Sequence, residues 1–172
     1  MARPSNSDAV TAYTESLDLW RQLNDRQGQA HALLNLGLAY DSKGDWDASV
    51  AAYRECRALL HELRDAEAEA QVLAFMGLVY DRKGDYDAAI AAFEKSLPLF
   101  DATGDRWRKA QTLETIGLVY DRKACRDALH SDRDAAVAAY EQSNDLWHEL
   151  GDRDAQDRVF GNLNLARSRP VR

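Results

Sequence analysis

Apolar residues in this chain recur at steps of three and four, the spacing that places side chains on one face of an α-helix. The first such stretch contains Val10, Tyr13, Leu17 and Trp20. Ser7 and Asp8 precede it and are typical N-cap residues, so the pattern predicts a helix that begins there and ends near Leu23. Asn24 follows, a residue type that tolerates the left-handed conformation of a helix C-cap. Residues 1–6 are predicted to be a flexible tail.

The helical pattern then repeats at a fixed distance. The segment GLVYDRKGDYDAA begins at Gly77, GLAYDSKGDWDAS begins at Gly37, and GLVYDRK returns at Gly117. Both intervals are 40 residues. A period of about 20 to 50 residues indicates an array of stacked structural units.

Each repeat is predicted to contain two helices separated by a Gly-Asp turn. In repeat one the first helix covers 28–43, Gly44 ends it, and Asp45 caps a second helix over 46–63. The corresponding helices of repeat two cover 67–83 and 86–103, and repeat three begins near Trp107.

Two residues depart from this pattern. Arg64 stands where the other units have Asn24, Gly104 or Gly151. Pro98 lies inside a predicted helix, where the missing N–H and the ring are expected to produce a local bend.

Repeat three carries seven additional residues, Ala124 to His130. Seven residues are close to two helical turns, and the inserted ACRDALH contains no helix breaker. We predict that the helix extends through 124–130 and protrudes beyond its neighbours. The alternative is a disordered loop.

Half repeats are predicted at both ends of the array. Arg158 to Ala166 matches His31 to Ala39 of a first helix, and Ala9 to Leu23 matches a second helix. We therefore expect about eight helices in a single array over 7–169. Its parts are a half repeat 7–26, repeats 27–66, 67–106 and 107–153, and a half repeat 154–169 that acts as a polar cap.

The repeated residues are of the kinds that pack helices together. Gly37, Gly77 and Gly117 have no side chain and would let a partner helix approach closely. The positions concerned are Leu33, Leu36, Gly37 and Tyr40 in the first helix, with Ser49, Tyr53 and Cys56 in the second.

This combination resembles the tetratricopeptide repeat family, over about residues 7 to 166. The usual unit has about 34 residues, and the 40-residue unit here is more similar to the long-helix version of kinesin light chain, Pins-type regulators and bacterial signalling proteins. The resemblance implies an all-α fold, a right-handed superhelical α-solenoid of antiparallel helix pairs. It also implies a concave groove that is lined by first helices and binds an extended peptide or a partner helix.

Residues carried over to the groove lie on one face of each first helix. They are His31, Leu34, Leu38, Asp41 and Ser42 in repeat one, Gln71, Ala74, Leu78, Asp81 and Arg82 in repeat two, and Gln111, Glu114, Leu118, Asp121 and Arg122 in repeat three. With Leu165 they predict an apolar stripe beside an acidic row. The leucines are open to a second interpretation as packing between helices, and the aspartates as solvated surface. Cys125, Arg126 and Leu129 form a possible specificity protrusion at the insertion.

Composition and charge limit the kinds of partner that the protein is expected to bind. The 172 residues carry a formal net charge of −7, which disfavours nucleic acid and suits a protein or peptide with basic or apolar residues. Leucines at 38, 78 and 118 occupy the position where chaperone-binding members have asparagine, so a C-terminal carboxylate is not the expected ligand. Two widely separated cysteines, and the lack of a leader or a long apolar run, suggest a cytoplasmic protein without a membrane segment. The resemblance to bacterial signalling proteins implies a bacterial source.

No catalytic or metal-binding constellation is apparent in the sequence. The four histidines have no cysteine or carboxylate at metal-ligand spacing, and no phosphate loop or nucleophile motif occurs. We predict an interaction scaffold or adaptor, not an enzyme, with no cofactor and no metal. The alternatives are a module that self-assembles weakly through its terminal half repeats and a regulatory fragment of a larger bacterial signalling protein.

Overall fold

The structure, a computed structural model, describes residues 6–127 and 130–168. Within those ranges the chain forms eight α-helices and no strand. The helices are α1 (Asn6–Gln22), α2 (Arg26–Lys43), α3 (Trp46–Leu63), α4 (Ala66–Lys83), α5 (Tyr86–Thr103), α6 (Arg106–Asp127), α7 (His130–Leu150) and α8 (Arg153–Ser168). The all-α solenoid prediction is confirmed in this helical composition and in the two-residue turns that join most helices.

The start of the first helix differs from the sequence prediction. The helix α1 begins at Asn6, so Ser7 and Asp8 lie inside its first turn and not before it. The rest of the predicted tail, residues 1–5, lies outside the described residues.

The helices form two compact units. One contains α1 to α4 and ends at Gly84, and the other contains α5 to α8 and begins at Asp85. In each unit, tight turns make consecutive helices antiparallel neighbours.

Aspartates fix where the helices start. The Asp25, Asp65 and Asp152 side chains each accept a hydrogen bond from the backbone N–H three residues later, at 2.9, 3.0 and 3.0 Å. Such N-caps satisfy a backbone donor that the helix itself leaves unpaired, and each stabilises its helix by about 1 kcal/mol. Asp45, Asp85 and Asp105 cap helices in the same way, and each follows a glycine of positive φ, so these Gly-Asp pairs end one helix and start the next.

Arg64 adopts the same left-handed conformation as the residues that end the other helices. Its φ is 57°, against 52° for Asn24 and 72° for Gly104. Its backbone N–H still donates to the carbonyl of His61. Arg64 therefore keeps the turn geometry and carries a steric cost that the glycines avoid.

Pro98 does not interrupt its helix. The helix α5 continues from Tyr86 to Thr103 with the proline inside it. The local bend remains a prediction.

The insertion lengthens both helices of its hairpin. The helix α6 has 22 residues and α7 has 21, whereas α2, α3, α4 and α5 each have 18. Compared with the other repeats, α6 continues through 124–127 and α7 begins earlier, at His130. The added residues are thus shared between two helices, while Ala128 and Leu129 lie outside the described residues.

Helix pairs meet at a glycine of the first helix and a tyrosine of the second. A Cβ placed on Gly37 would lie 2.3 Å from the Tyr53 ring, and one on Gly117 would lie 2.5 Å from the Tyr140 ring. Both tyrosines are almost completely buried. The predicted close approach at these glycines is confirmed, and the group that uses the space is the aromatic ring.

Small polar residues join the same helix pairs by hydrogen bonds. Ser49 Oγ donates to the Gly37 carbonyl at 2.8 Å. The Cys56 thiol donates to the Ala30 carbonyl at 3.2 Å, and Ser143 Oγ donates to the Ala110 carbonyl at 2.8 Å. Buried hydroxyl and thiol groups thereby gain partners without any loss of close packing.

Arg64→Gly is expected to stabilise the first unit by about 1 kcal/mol, because glycine removes the steric cost of positive φ. Equilibrium urea unfolding checks this through the midpoint. Gly104→Arg, at φ 72° and with open space around its Cβ position, is the reciprocal change and is expected to destabilise by a similar amount. Equal unfolding midpoints for the wild type and both variants would show that positive φ at these positions carries no steric cost.

Candidate functional site

Predicted groove residues gather around a cavity in each unit. The first cavity, between α2, α3 and α4, has a volume of about 170 Å³ and is lined by His31, Leu34 and Gln71 among others. The second, between α6, α7 and α8, has a volume of about 500 Å³ and includes Gln111, Glu114 and Leu118 in its lining. These six residues all come from the predicted groove.

The two cavities occupy the same place in the repeat. Their linings correspond at a spacing of 80 residues before the insertion and 87 after it. The corresponding pairs are Gln27 and Trp107, His31 and Gln111, Leu34 and Glu114, Leu60 and Trp147, Asp65 and Asp152, Ala68 and Ala155, and Gln71 and Arg158. A cavity between successive first helices is therefore a recurring feature, and the substitutions decide its chemistry.

An ion pair closes one side of the second cavity. Arg158 of α8 donates from Nε and an Nη to the two carboxylate oxygens of Glu114 on α6, at 2.7 and 2.8 Å. These hydrogen bonds raise the pKa of Arg158 above its ordinary value. Glu114 is only 6 % exposed and both of its oxygens accept hydrogen bonds from Arg158, so its predicted contact with a partner stays a prediction.

Two tryptophans form the aromatic side of the second cavity. Trp147 of α7 is 1 % exposed, and Trp107 in the first turn of α6 is 51 % exposed. Their rings meet edge to face, with centroids 5.7 Å apart and an interplanar angle of 82°. The buried Nε1 of Trp147 has no acceptor among the described residues.

The first cavity is smaller and less charged. His31 is exposed and Leu34 is half-buried, both on α2. Burial, and secondarily Glu55, raises the pKa of the Cys56 thiol to about 12, so this lining residue stays uncharged. Gln71 is half-buried and donates to Glu67 at 3.3 Å.

Two aspartates of the predicted acidic row form contacts within the chain. Asp41 forms an ion pair with Arg82, which was itself assigned to the groove. Asp121 accepts a hydrogen bond from the Tyr140 hydroxyl at 3.1 Å. Burial first, and then Asp121, raises the pKa of Tyr140. Asp41, Asp121 and Arg82 thus have partners within the chain, and their contact with a binding partner stays a prediction; Asp81 lies half-buried on α4.

The leucines of the predicted apolar stripe differ in their exposure to solvent. Leu38 and Leu165 are exposed, whereas Leu78 and Leu118 are half-buried. Leu118 packs against the buried cluster around Tyr140 and Trp147, in line with the packing interpretation. Of the remaining groove positions, Ser42, Gln111 and Arg122 are exposed and Ala74 is half-buried.

The insertion is held against the start of α5. The Arg126 guanidinium lies 4.7 Å from the centre of the Tyr86 ring and also donates to Asp127. Lys123 Nζ lies 2.7 Å from Asp87. Of the predicted specificity residues, Arg126 is thus engaged within the chain, Cys125 is exposed, and Leu129 lies outside the described residues.

Several lining residues were missed by the sequence prediction. They are Trp107, Trp147, Asp152, Asp154 and Arg158. Alignment of the repeats was sufficient to reveal that both tryptophans replace smaller side chains, Gln27 and Leu60. The sequence alone does not show which of these positions face the same cavity, because that depends on how three helices pack together.

Residues 6–127 and 130–168 contain neither a metal-binding cluster nor a membrane-spanning helix. No group of three or more His, Cys, Asp or Glu side chains is arranged to hold a metal ion. No helix in these ranges is both long and apolar enough to cross a membrane.

Family models match two stretches of the chain. Models described as tetratricopeptide repeat match residues 6–62 and residues 70–99, together just over half of the sequence. No curated protein sequence matches at a significant level.

Solved structures share the fold at low sequence identity. BtubC from P. vanneervenii has a TM-score of 0.60 and 16% identity, covering 96% of this chain and 74% of its own. A signal transduction ATPase with numerous domains and a tetratricopeptide repeat sensor, from Pyrococcus horikoshii, has a TM-score of 0.64 and 18% identity. It covers 95% of this chain, which spans only 27% of that protein. A putative kinesin light chain from Podosopora anserina with nearly identical repeats has a TM-score of 0.53, 12% identity, and coverage of 95% and 87%.

These matches, with the helix pairs and their glycine-tyrosine contacts, define an α-helical repeat protein. The chain belongs to the tetratricopeptide repeat family.

Arg158→Gln is expected to destabilise the second unit by about 2 kcal/mol, because it leaves the buried Glu114 carboxylate without its cation. Glu114→Leu is expected to cost less, since the half-exposed Arg158 can regain water. The double variant has the leucine and glutamine that the first unit carries at Leu34 and Gln71. Its free energy of unfolding is expected to be close to that of the wild type. Urea unfolding of all four proteins measures this, and a double variant as unstable as Arg158→Gln would exclude it.

Proposed function

We propose that this chain is a protein-interaction scaffold in which each unit offers a cavity between first helices to an extended segment of a protein partner. Tetratricopeptide repeat proteins in general bind other proteins and act as scaffolds without catalysis. We propose the same here, with the side chains facing the cavities as the contacts.

The observation that carries this proposal is the recurrence of the cavity. Two cavities formed by corresponding residues in two units suit a ligand that meets the repeat surface in a regular way. Their accessible polar groups, His31, Gln71 and Gln111, are of types that hydrogen-bond a peptide backbone. The net charge of −7 favours a basic partner.

Cross-linking tests which helices meet the partner. The ligand is a peptide selected for binding from an array of basic and apolar sequences. The photo-crosslinking residue benzoylphenylalanine replaces His31 or Gln111 of the protein. The matched controls carry it at Ala51 or Ala138, corresponding exposed positions on the second helices α3 and α7. We expect cross-links from the first-helix positions only, and cross-links predominantly from Ala51 and Ala138 would overturn the proposal.

Self-assembly is a second candidate, favoured by one residue of α8. Phe160 is 53 % exposed, although Leu33 and Leu113 at the corresponding positions are buried. A second helix supplied by another copy would cover it. Asn164 opposes this pairing, because it stands where Gly37 and Gly117 accept a tyrosine ring. We therefore propose α8 as a cap, which leaves the chain monomeric.

Asn164→Gly tests this cap. Removal of the side chain opens the ring position to Tyr13 of another copy, so concentration-dependent association is expected in light scattering, against a constant monomer mass for the wild type. Asn162→Gly is the matched control on the same helix. Association of the wild type itself would reject the cap.

A regulatory role within a larger signalling protein is a further alternative. It draws on likeness of fold to the repeat sensor of the signal transduction ATPase. The scaffold proposal covers that case, since a sensor would also act by binding through its repeats.

A further inference from the structure

We propose that the second cavity, defined by α6, α7 and α8, is a specific receptor for an arginine side chain of the partner. This inference deepens the proposed function, on which it rests. It concerns residues that the groove assignment did not include, chiefly Trp107, Trp147 and Asp154.

Charge in the cavity favours a cation. Three carboxylates line it, Glu114, Asp152 and Asp154, against one guanidinium, that of Arg158. The start of α8 contributes the equivalent of about half a positive charge, too little to reverse this excess. Glu114 and Arg158 neutralise each other, so the two aspartates remain to attract a ligand.

The aspartates differ in what they offer. Asp152 caps α8 by accepting the Ala155 N–H at 3.0 Å, so one of its oxygens is engaged. Asp154 is exposed in the first turn of α8 and forms no ion pair with the described residues. Asp154 is therefore the carboxylate suited to a two-point hydrogen bond with a guanidinium.

The aromatic side of the cavity selects a flat cation. Trp107 is half-exposed and held edge-on by the buried Trp147, which fixes its ring. An arginine can stack on an indole face while its N–H groups bind a carboxylate, whereas a lysine ammonium offers a point charge only.

Trp147 also carries an unpaired polar atom. The residue lines the cavity, and its Nε1 is buried and lacks an acceptor among the described residues. A buried donor without a partner is costly. A peptide carbonyl next to the arginine would supply this acceptor once the indole ring turns toward the ligand.

The first cavity serves as an internal comparison. At the corresponding positions it has Gln27 in place of Trp107 and Leu60 in place of Trp147, and its volume is about a third as large. It lacks the aromatic surface, so the receptor is specific to the second unit.

The test follows the indole N–H signals of the full chain by NMR during titration with acetyl-Leu-Arg-Leu-amide. A single anchored side chain is expected to bind with a Kd of about 1 mM. The signals of Trp107 and Trp147 should shift, while those of Trp20 and Trp46 in the first unit should not. The peptide with citrulline in place of arginine, which has the same shape without charge, should bind about tenfold more weakly.

Variants locate the site. Trp107→Gln introduces the side chain that the first unit already tolerates and is expected to weaken binding about tenfold. Asp154→Asn should weaken it about threefold and reduce its salt dependence. Gln27→Ala is the matched control and should leave the Kd unchanged.

The outcomes separate the two proposals. Equal binding of the citrulline peptide, shifts confined to Trp20 and Trp46, or no shift at all would overturn the arginine receptor. If cross-linking from His31 and Gln111 then persists with the selected peptide, the scaffold proposal stands without it. If the tripeptide binds as expected but cross-links arise from Ala51 and Ala138, the scaffold proposal fails and the local receptor stands.

Discussion

The contact between a glycine of a first helix and a tyrosine ring of a second helix sets the geometry on which the candidate site depends. With no Cβ at Gly37 or Gly117, the ring of Tyr53 or Tyr140 lies directly on the helix backbone. A side chain at either glycine would push the pair apart or force the ring out of its position. Each cavity is bounded by the two helices of such a pair, so this packing sets the backbone positions around it, while the side chains that line it differ between the units.

The same backbone frame supports two different cavities because the residues that face them do not determine the packing. Leu34 and Gln71 in one unit correspond to Glu114 and Arg158 in the other. The leucine and glutamine of the first cavity are replaced in the second by an ion pair in which only Glu114 is buried, and two neighbouring side chains are aromatic. Fold and recognition thus occupy separate positions in the repeat, which allows one to vary while the other is kept.

The sequence predicted the helices well because their ends carry local signals. Aspartate caps and left-handed glycines act within a few residues, so α3 and α5 were located to the residue, and α2 and α4 within two. The start of α1 was missed because Ser7 and Asp8 resemble caps wherever they occur. The site was harder to predict, since the bond of Asp41 to Arg82 joins residues 41 positions apart. Only packing reveals such a pair, or the burial of Glu114.

The seven-residue insertion has a consequence for how this fold changes during evolution. Four additional residues belong to α6 and three come at the start of α7, which is about one turn for each helix of the hairpin. Growth by about one turn in each helix keeps the later side chains of α7 close to their original face, and Trp147 still lines the cavity. Gains or losses of five or six residues would rotate those faces by a large angle. Length variation at such hairpins should therefore be quantised, with steps near seven residues preferred among related chains.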